Sequence, residues 1–421
     1  MRSVILLMAV LAGCDADEPN PASSGEPDDK GGSTCVPSDV VASEGARSAA
    51  GSSDAFGWDL YQSLAESEEG NLFFSPFSIT AALSMTYAGA AGGTAEEMAT
   101  VLHVQGEDAA YHQGYGDLLD VIVAEQEGCA VQLNLANRLF GQTDFPWLDP
   151  FLDITATDYN APLEEIDFIA DPGAAQDDIN GWVGDQTADR ITDLIPDGVI
   201  NSYTRLVLAN AIYFKADWLN QFDEEQTFDS DFALEDGSTV EVPMMFREGA
   251  ARLGNVEGAQ ALELPYDGEM QSMILLLPEY DQDLSDLEAR LDNDFIDGVV
   301  QSLSEIEDAV VMMPRFTIDA RVPLKAQLIA LGMPSAFDNT VADLTKMASR
   351  EDANLFIQDA LHRAFIEVNE AGSEAAAATA VVVGDESAPP GFYAQRPFVF
   401  LIRDNATGTV LFLGRVVDPS E

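Results

Sequence analysis

The chain has 421 residues, of which 74 are acidic and 19 basic, giving a net charge of −55 with only four lysines (Lys30, Lys215, Lys325 and Lys346). This balance excludes nucleic acid as a partner and disfavours polyanionic activators and anionic lipid headgroups, which need clustered Lys and Arg. A composition that is 47% hydrophobic and 9% aromatic excludes global disorder and allows a large core.

Met1-Arg2 followed by VILLMAVLAG reads as a signal peptide, an apolar run too short to span a bilayer. Its end, Leu11-Ala12-Gly13-Cys14, resembles the lipobox of bacterial lipoproteins. That resemblance implies cleavage after residue 13 and a lipid on Cys14; the alternative is an ordinary secretory signal with an incidental cysteine. The chain is therefore expected to be exported, either lipid-anchored at the bacterial cell envelope or secreted. Cys35 and Cys129 remain, to pair in an oxidising compartment or to persist as two thiols. Residues 14–52, rich in Pro, Gly, Ser, Asp and Glu, are predicted to be a disordered acidic tether. The acidity itself fits either plain solubility or a saline habitat, where self-repulsion is screened.

From Ser53 onward the pattern is that of a folded domain, 53–421. Phe56, Leu60 and Leu64 recur at helical spacing behind Ser53-Asp54, read as the N-cap. NLFFSPFSITAALSMTYAGAAGG then predicts a short strand, a turn at Ser75-Pro76 and a buried helix ended by glycines. Thr94 and Glu97 form a capping-box pattern for the next helix. Asp171-Pro172 opens a helix with Ile179, Trp182 and Val183 on one face. Residues 204–218, TRLVLANAIYFKADW, have the near-continuous apolar character of a central strand. Further strands are predicted at LELPYDG, SMILLLPE, VVMMPRFTI and LFIQDALHRAFIEV, with a helix at PLKAQLIALGM ending at Gly332. The closing PFVFLIRDNATGTVLFLGRVV reads as a hairpin turning at Asn-Ala-Thr-Gly. Helices early and strands late predict an α+β fold. No C-x-x-C and no histidine cluster is present, so neither metal nor cofactor is expected. No G-x-S-x-G is present, and the chain is not expected to be an enzyme.

NLFFSPFSITAALSMTYAGAAGGTAEEM, LANAIYFKADW, VPMM, MPRFTIDARVPLKAQLIALGM, HRAFIEVNEAGSEAAAAT and RPFVFLIRDNATGTVLFLGRVVDP occur in this order between Ser53 and Pro419. Together they resemble the serpin family. The resemblance implies three β-sheets, about nine helices and an exposed reactive loop near the C-terminus. It also implies a suicide-substrate inhibitor, in which a cleaved loop inserts into the central sheet and drags an acyl-linked protease with it. The alternative is a non-inhibitory serpin-fold binding or chaperone protein whose loop never inserts.

The stretch EAGSEAAAAT carries the hinge: Glu370, Gly372, Ser373, Glu374, Ala375, Ala376, Ala377, Ala378 and Thr379. Strand side chains alternate faces, so Ser373, Ala375, Ala377, Thr379, Val381 and Val383 would share the buried face of an inserted strand, with Glu374 facing away. Sixteen residues on from Glu370, and eleven back from Pro397, both reach Glu386. By the family's spacing this places the scissile bond at Glu386–Ser387, with Asp385 as the alternative scissile residue. The implied partner is a serine endopeptidase accepting Glu or Asp; at Asp385 a cysteine protease would also fit. The resemblance further places Ser75, Ser78, Asn210 and His362 in a sheet-opening cluster, with Asn210 and His362 as hydrogen-bond partners. Trp218, Arg315 and Glu370 fall where the loop first enters, the last two as an ion pair. No membrane contact is expected beyond the lipid anchor, and the chain is expected to be a monomer.

Overall fold

Ser43 starts the first helix by accepting the Ala46 amide on its hydroxyl oxygen at 3.0 Å. α1 (Glu44–Ala65) therefore begins ahead of Ser53. Residues 44–52, assigned to the tether by composition, are helical, and Ala46, Ala49 and Ala50 are buried. Their small side chains let α1 approach its neighbours, as Gly45 does against Gly114. Ser53 and Asp54 are interior to the helix, not its cap; the Asp54 carboxylate instead accepts the Val410 amide at 2.8 Å. The computed structural model describes residues 41–124, 131–349, 354–373 and 390–421.

β1 (Leu72–Phe74), α2 (Pro76–Ala88), α3 (Gly92–Val101) and α4 (Asp108–Ala124) follow. Every residue of α2 is buried, as expected of a helix apolar on all sides and packed against both sheets. Thr94 lies inside α3 and does not cap it. Its hydroxyl accepts the Asp343 amide at 2.9 Å, while Glu97 receives the Ser335 amide and hydroxyl. Next come β2 (Gln132–Gln142), α5 (Asp149–Thr157), β3 (Glu164–Ile166), α6 (Pro172–Gln186) and β4 (Leu206–Asp217). Asp171 caps α6 through the Ala174 amide, as its sequence predicts.

β5 (Phe228–Ala233), β6 (Thr239–Val256), β7 (Ala259–Pro265), β8 (Gln271–Pro278), α7 (Leu284–Glu288) and α8 (Asn293–Ser302) form the next block. The last is β9 (Ser304–Pro314), β10 (Phe316–Pro323), α9 (Lys325–Leu331), β11 (Leu361–Val368), β12 (Gly372–Ser373), β13 (Gly391–Tyr393), β14 (Phe398–Asp404) and β15 (Val410–Val416). Among the described residues there are thus nine α-helices.

One sheet has nine strands, ordered β1-β15-β14-β8-β7-β6-β9-β13 with β5 added to β6. The three sheets implied by the resemblance appear with two of them joined here, because the long β6 serves both. Its first half pairs with β5 and its second with β7, and the register shifts between Gly249 and Ala251. The other sheet is the central one, ordered β10-β11-β4-β2-β3, with the two-residue β12 on β4. Between the sheets lies the main core, where Phe73 stacks on Phe400 and Phe412 at 5.8 and 5.2 Å. A second cluster on the outer face of β2 and β4 includes Phe140, Phe168, Ile179, Val183, Ile191 and Ile195, under α6.

Candidate functional site

The central sheet is unevenly joined. β10 and β11 pair antiparallel over eight residues and β2 and β4 over ten, whereas β11 and β4 meet in parallel at only three pairs. These are Arg363 with Ala211, Ala364 with Ile212 and Phe365 with Tyr213. Below them the strands diverge, and a largely apolar cleft opens between Leu206, Leu208, Leu355, Ile357, Leu361 and α2.

Just before the paired stretch, a buried polar cluster crosses this seam. The Ser75 amide, which can only donate, points at Nε2 of His362 at 3.1 Å. Nε2 must therefore carry the lone pair and Nδ1 the proton, which goes to Oδ1 of Asn210 at 2.5 Å. Nδ2 of Asn210 in turn donates to the Ser78 carbonyl and hydroxyl, both at 2.8 Å, and to Oδ1 of Asn137 at 2.6 Å. The Ser75 hydroxyl caps α2 at the Ser78 amide and donates to the Leu411 carbonyl at 2.6 Å, reaching the other sheet. His362 is buried, and desolvation pushes its pKa down to about 3, so the imidazole is neutral. The cluster thus joins Ser75, Ser78, Asn210 and His362. Asn137 was missed: it is an ordinary-looking strand residue, but lies directly opposite Asn210 in the β2–β4 register.

Past β11 the chain reverses. The Asn369 amide donates to the Gly372 carbonyl at 2.9 Å, and its side-chain oxygen receives the Ala371 amide at 3.1 Å. Gly372 and Ser373 then run antiparallel on β4, opposite Asp217 and Ala216. Because β4 and β11 are parallel, a strand running antiparallel between them could bond to both. Glycine is required at 372 by close approach: a Cβ there would sit 2.1 Å from the Ala216 carbonyl oxygen. Its backbone is not in the left-handed region, so in this conformation it is close approach that calls for glycine.

Side chains from several elements hold this reversal. Nε of Arg315 donates to both carboxylate oxygens of Glu370 at 2.7 Å. Nη2 lies 2.6 Å from Oε1, but out of line for a hydrogen bond, so the pair is joined through Nε. Glu370 is 1% exposed and also receives the Thr227 hydroxyl, making this a buried pair. Trp218 donates its indole N–H to the Asn369 carbonyl at 2.9 Å and its amide to the Ala371 carbonyl at 2.8 Å. Tyr266 stacks on Trp218 at 4.6 Å, and its hydroxyl lies 3.1 Å from Ser373 Oγ. Trp218, Arg315, Glu370, Gly372 and Ser373 therefore come together as one anchor. Thr227, Tyr266 and Asn369 were not singled out in the sequence; Tyr266 follows an apolar strand, where a polar-tipped aromatic at a strand end was the available signal.

Glu374, Ala375 to Ala378, Thr379, Asp385, Glu386 and Ser387 lie outside the described residues, as do Cys14, Cys35 and Cys129.

The family description "Serpin (serine protease inhibitor)" matches residues 51–419. An uncharacterised serpin-like protein of Thermococcus kodakarensis is 37% identical, with all of both chains covered. The leukocyte elastase inhibitor of Xenopus tropicalis is also 37% identical, over 86% of this chain and 97% of that protein. Among solved structures, native protease nexin-1 with heparin superposes with a TM-score of 0.79 at 30% identity, covering 89% of this chain and all of the other. A match over most of the chain, with the sheet order and the anchored hinge described above, establishes that this protein belongs to the serpin family.

Proposed function

We propose that this serpin is a suicide-substrate inhibitor of an endopeptidase that accepts Glu or Asp. The observation that carries this reading is the antiparallel pairing of Gly372 and Ser373 on β4, at a seam where β4 and β11 share three residue pairs. Continuing that register brings Thr379 opposite Asn210 and places Ala375 and Ala377 on the buried face of Ser373. The segment 379–383, TAVVV, would then reach the apolar cleft beside Leu206 and Leu208. β-branched residues suit a buried strand.

The chemistry asks little of the inhibitor. The protease hydroxyl (or thiol) attacks the Glu386 carbonyl carbon, the Glu386–Ser387 bond breaks, and the Ser387 amine leaves with a proton. Roughly fourteen inserted residues at about 3.3 Å each then carry the acyl-linked enzyme about 45 Å before water can complete hydrolysis. A named elastase inhibitor among the relatives supports the inhibitory reading. Heparin accompanies one structural relative, but a chain with 74 acidic residues is a poor partner for a polyanion. We further propose that residues 1–13 are removed, that Cys14 is lipidated, and that the serpin acts as a monomer held at the bacterial envelope. Release without the lipid would leave it secreted.

The test is incubation with a glutamyl endopeptidase, followed by denaturing electrophoresis and mass analysis of the released peptide. An SDS-resistant complex and a C-terminal peptide beginning at Ser387 are expected; a peptide beginning at Glu386 assigns cleavage to Asp385. Plain turnover of the chain by every Glu- and Asp-cutting protease would sink the proposal.

A further inference from the structure

The seam between β4 and β11 is bridged on its outer face by the segment that follows α6. This strap is fixed to the β2–β4 side. Thr187 closes α6 by donating to the Val183 carbonyl at 2.8 Å and accepting the Ile191 amide at 3.1 Å. Ala188 and Asp189 hold left-handed backbone angles of φ 51° and 60°, which non-glycine residues keep only when their surroundings fix them. Ile191 is fully buried, and Asn180 of α6 clasps Ile195 through both its amide and its carbonyl, at 2.9 and 3.0 Å. α6 itself packs on β2 by an edge-on contact of Trp182 with Phe140 at 5.5 Å.

Two strap side chains reach the other side. The Arg190 guanidinium lies 5.4 Å over the Phe365 ring of β11, and its charge counters the rise that burial gives the pKa of the Tyr213 hydroxyl on β4. Phe365 and Tyr213 are partners across the seam, so one guanidinium acts on both members of the pair. Asp193 forms ion pairs with Arg363 of β11 and Arg321 of β10. Arg363 also holds Asp319 of β10 through two hydrogen bonds at 2.9 and 2.7 Å, so β10 and β11 respond together.

We infer that Arg190 and Asp193 form a clasp across the β4–β11 seam whose release limits how fast a strand can enter the central sheet. Entry moves β11 from one strand spacing to two relative to β4, about 4.8 to about 9.6 Å. Arg190 cannot then stay on Phe365 and Tyr213 together, and Asp193 must let go of β10 and β11 or pull α6 off the sheet. The two residues do not touch the protease; they are positioning residues. They set the competition between insertion and hydrolysis of the acyl-enzyme, and so the fraction of encounters ending in inhibition. This inference rests on the proposed inhibitory function.

The test uses the intact protein and a synthetic peptide of sequence SEAAAATAVVVG, residues 373–384, as the strand. Uptake is followed on native gels for the wild type, Arg190→Gln, Asp193→Asn and Arg138→Gln. Arg138 pairs with Glu164 and lies over Trp182 on the same face without crossing the seam, so it is the control. Uptake about three- to tenfold faster is expected for Arg190→Gln and Asp193→Asn, the range that exposed ion-pair and cation–π contacts support, with Arg138→Gln unchanged. In the same variants the number of serpin molecules consumed per inhibited glutamyl endopeptidase should fall. Should Asp193→Asn fail to fold, Arg321→Gln removes an ion pair of the clasp from its half-exposed end. Equal uptake rates in the clasp variants and a peptide-accepting wild type would overturn the clasp and leave the inhibitory reading standing. A wild type that neither accepts peptide nor gains thermal stability on loop cleavage would overturn both.

Discussion

Nδ1 of His362 and Oδ1 of Asn210, 2.5 Å apart, join β11 to β4 across the seam, one residue before the paired stretch begins. The bond needs a neutral imidazole, because Nε2 is already accepting the Ser75 amide. His362 has a folded-state pKa of about 3 against 6.5 in a solvated chain, because burial penalises the charged ring. Between those values the unfolded chain binds more protons, so this contribution falls as pH falls. Buried His112, at about 4, acts in the same direction, while Asp54, raised to about 7 by burial, acts in the opposite one between 3.8 and 7. Each full proton difference is worth about 1.4 kcal/mol per pH unit. Urea melts from pH 7 to pH 5 should show that His362→Gln flattens the acid loss of stability, and that Asp54→Asn steepens it.

Arg315→Ala should destabilise the uncleaved protein by about 3 kcal/mol, at the low end for a broken buried pair because Arg315 is itself 24% exposed. The cause is Glu370, left charged and almost wholly buried with Thr227 as its remaining side-chain partner among the described residues. Chemical denaturation measures the loss, and Glu370→Gln in the Arg315→Ala background should recover part of it.

Gly372→Val places carbon against the Ala216 carbonyl, and Ser373→Arg places a charge beneath Tyr266 at a site 2% exposed. Both should turn the protein from inhibitor toward substrate. Differential scanning calorimetry of the loop-cleaved forms checks this: the wild type should melt well above its uncleaved form, and the two variants should gain much less.

A net charge of −55 strains the folded state at low ionic strength. Raising salt from 0.1 to 1 M shortens the Debye length from about 10 to about 3 Å. The melting temperature should climb over this range in sodium chloride, and a flat or falling melting temperature would count against charge repulsion as the source of strain.

The positions of the polar cluster were legible through the serpin resemblance; a buried Asn in an apolar strand needs a partner, but the residues alone do not say which. The Arg315–Glu370 pair of the hinge anchor was likewise legible through that resemblance. Asn137 was not, since QLNLANRLF looks like an ordinary half-exposed strand until its register against β4 is known. Thr94 and Glu97 misled for the opposite reason: their local capping pattern is real, but Asp343 and Ser335, distant in sequence, take those groups. The start of α1 was hidden because alanines and serines that pack closely have the same composition as a tether. Arg190 and Asp193 carried no signal, as Phe365, Arg363 and Arg321 lie over a hundred residues away in sequence.

In most sheets, amide exchange slows from the rim inward. Here a seam of only three strand pairs runs through the interior, with ten-pair and eight-pair ladders on either side. Deuterium should therefore enter amides bonded between β4 and β11 ahead of those in the β2–β4 ladder, although both are deeply covered. The protein would wear its intended tear line as an isotopic label, readable before any protease has touched it.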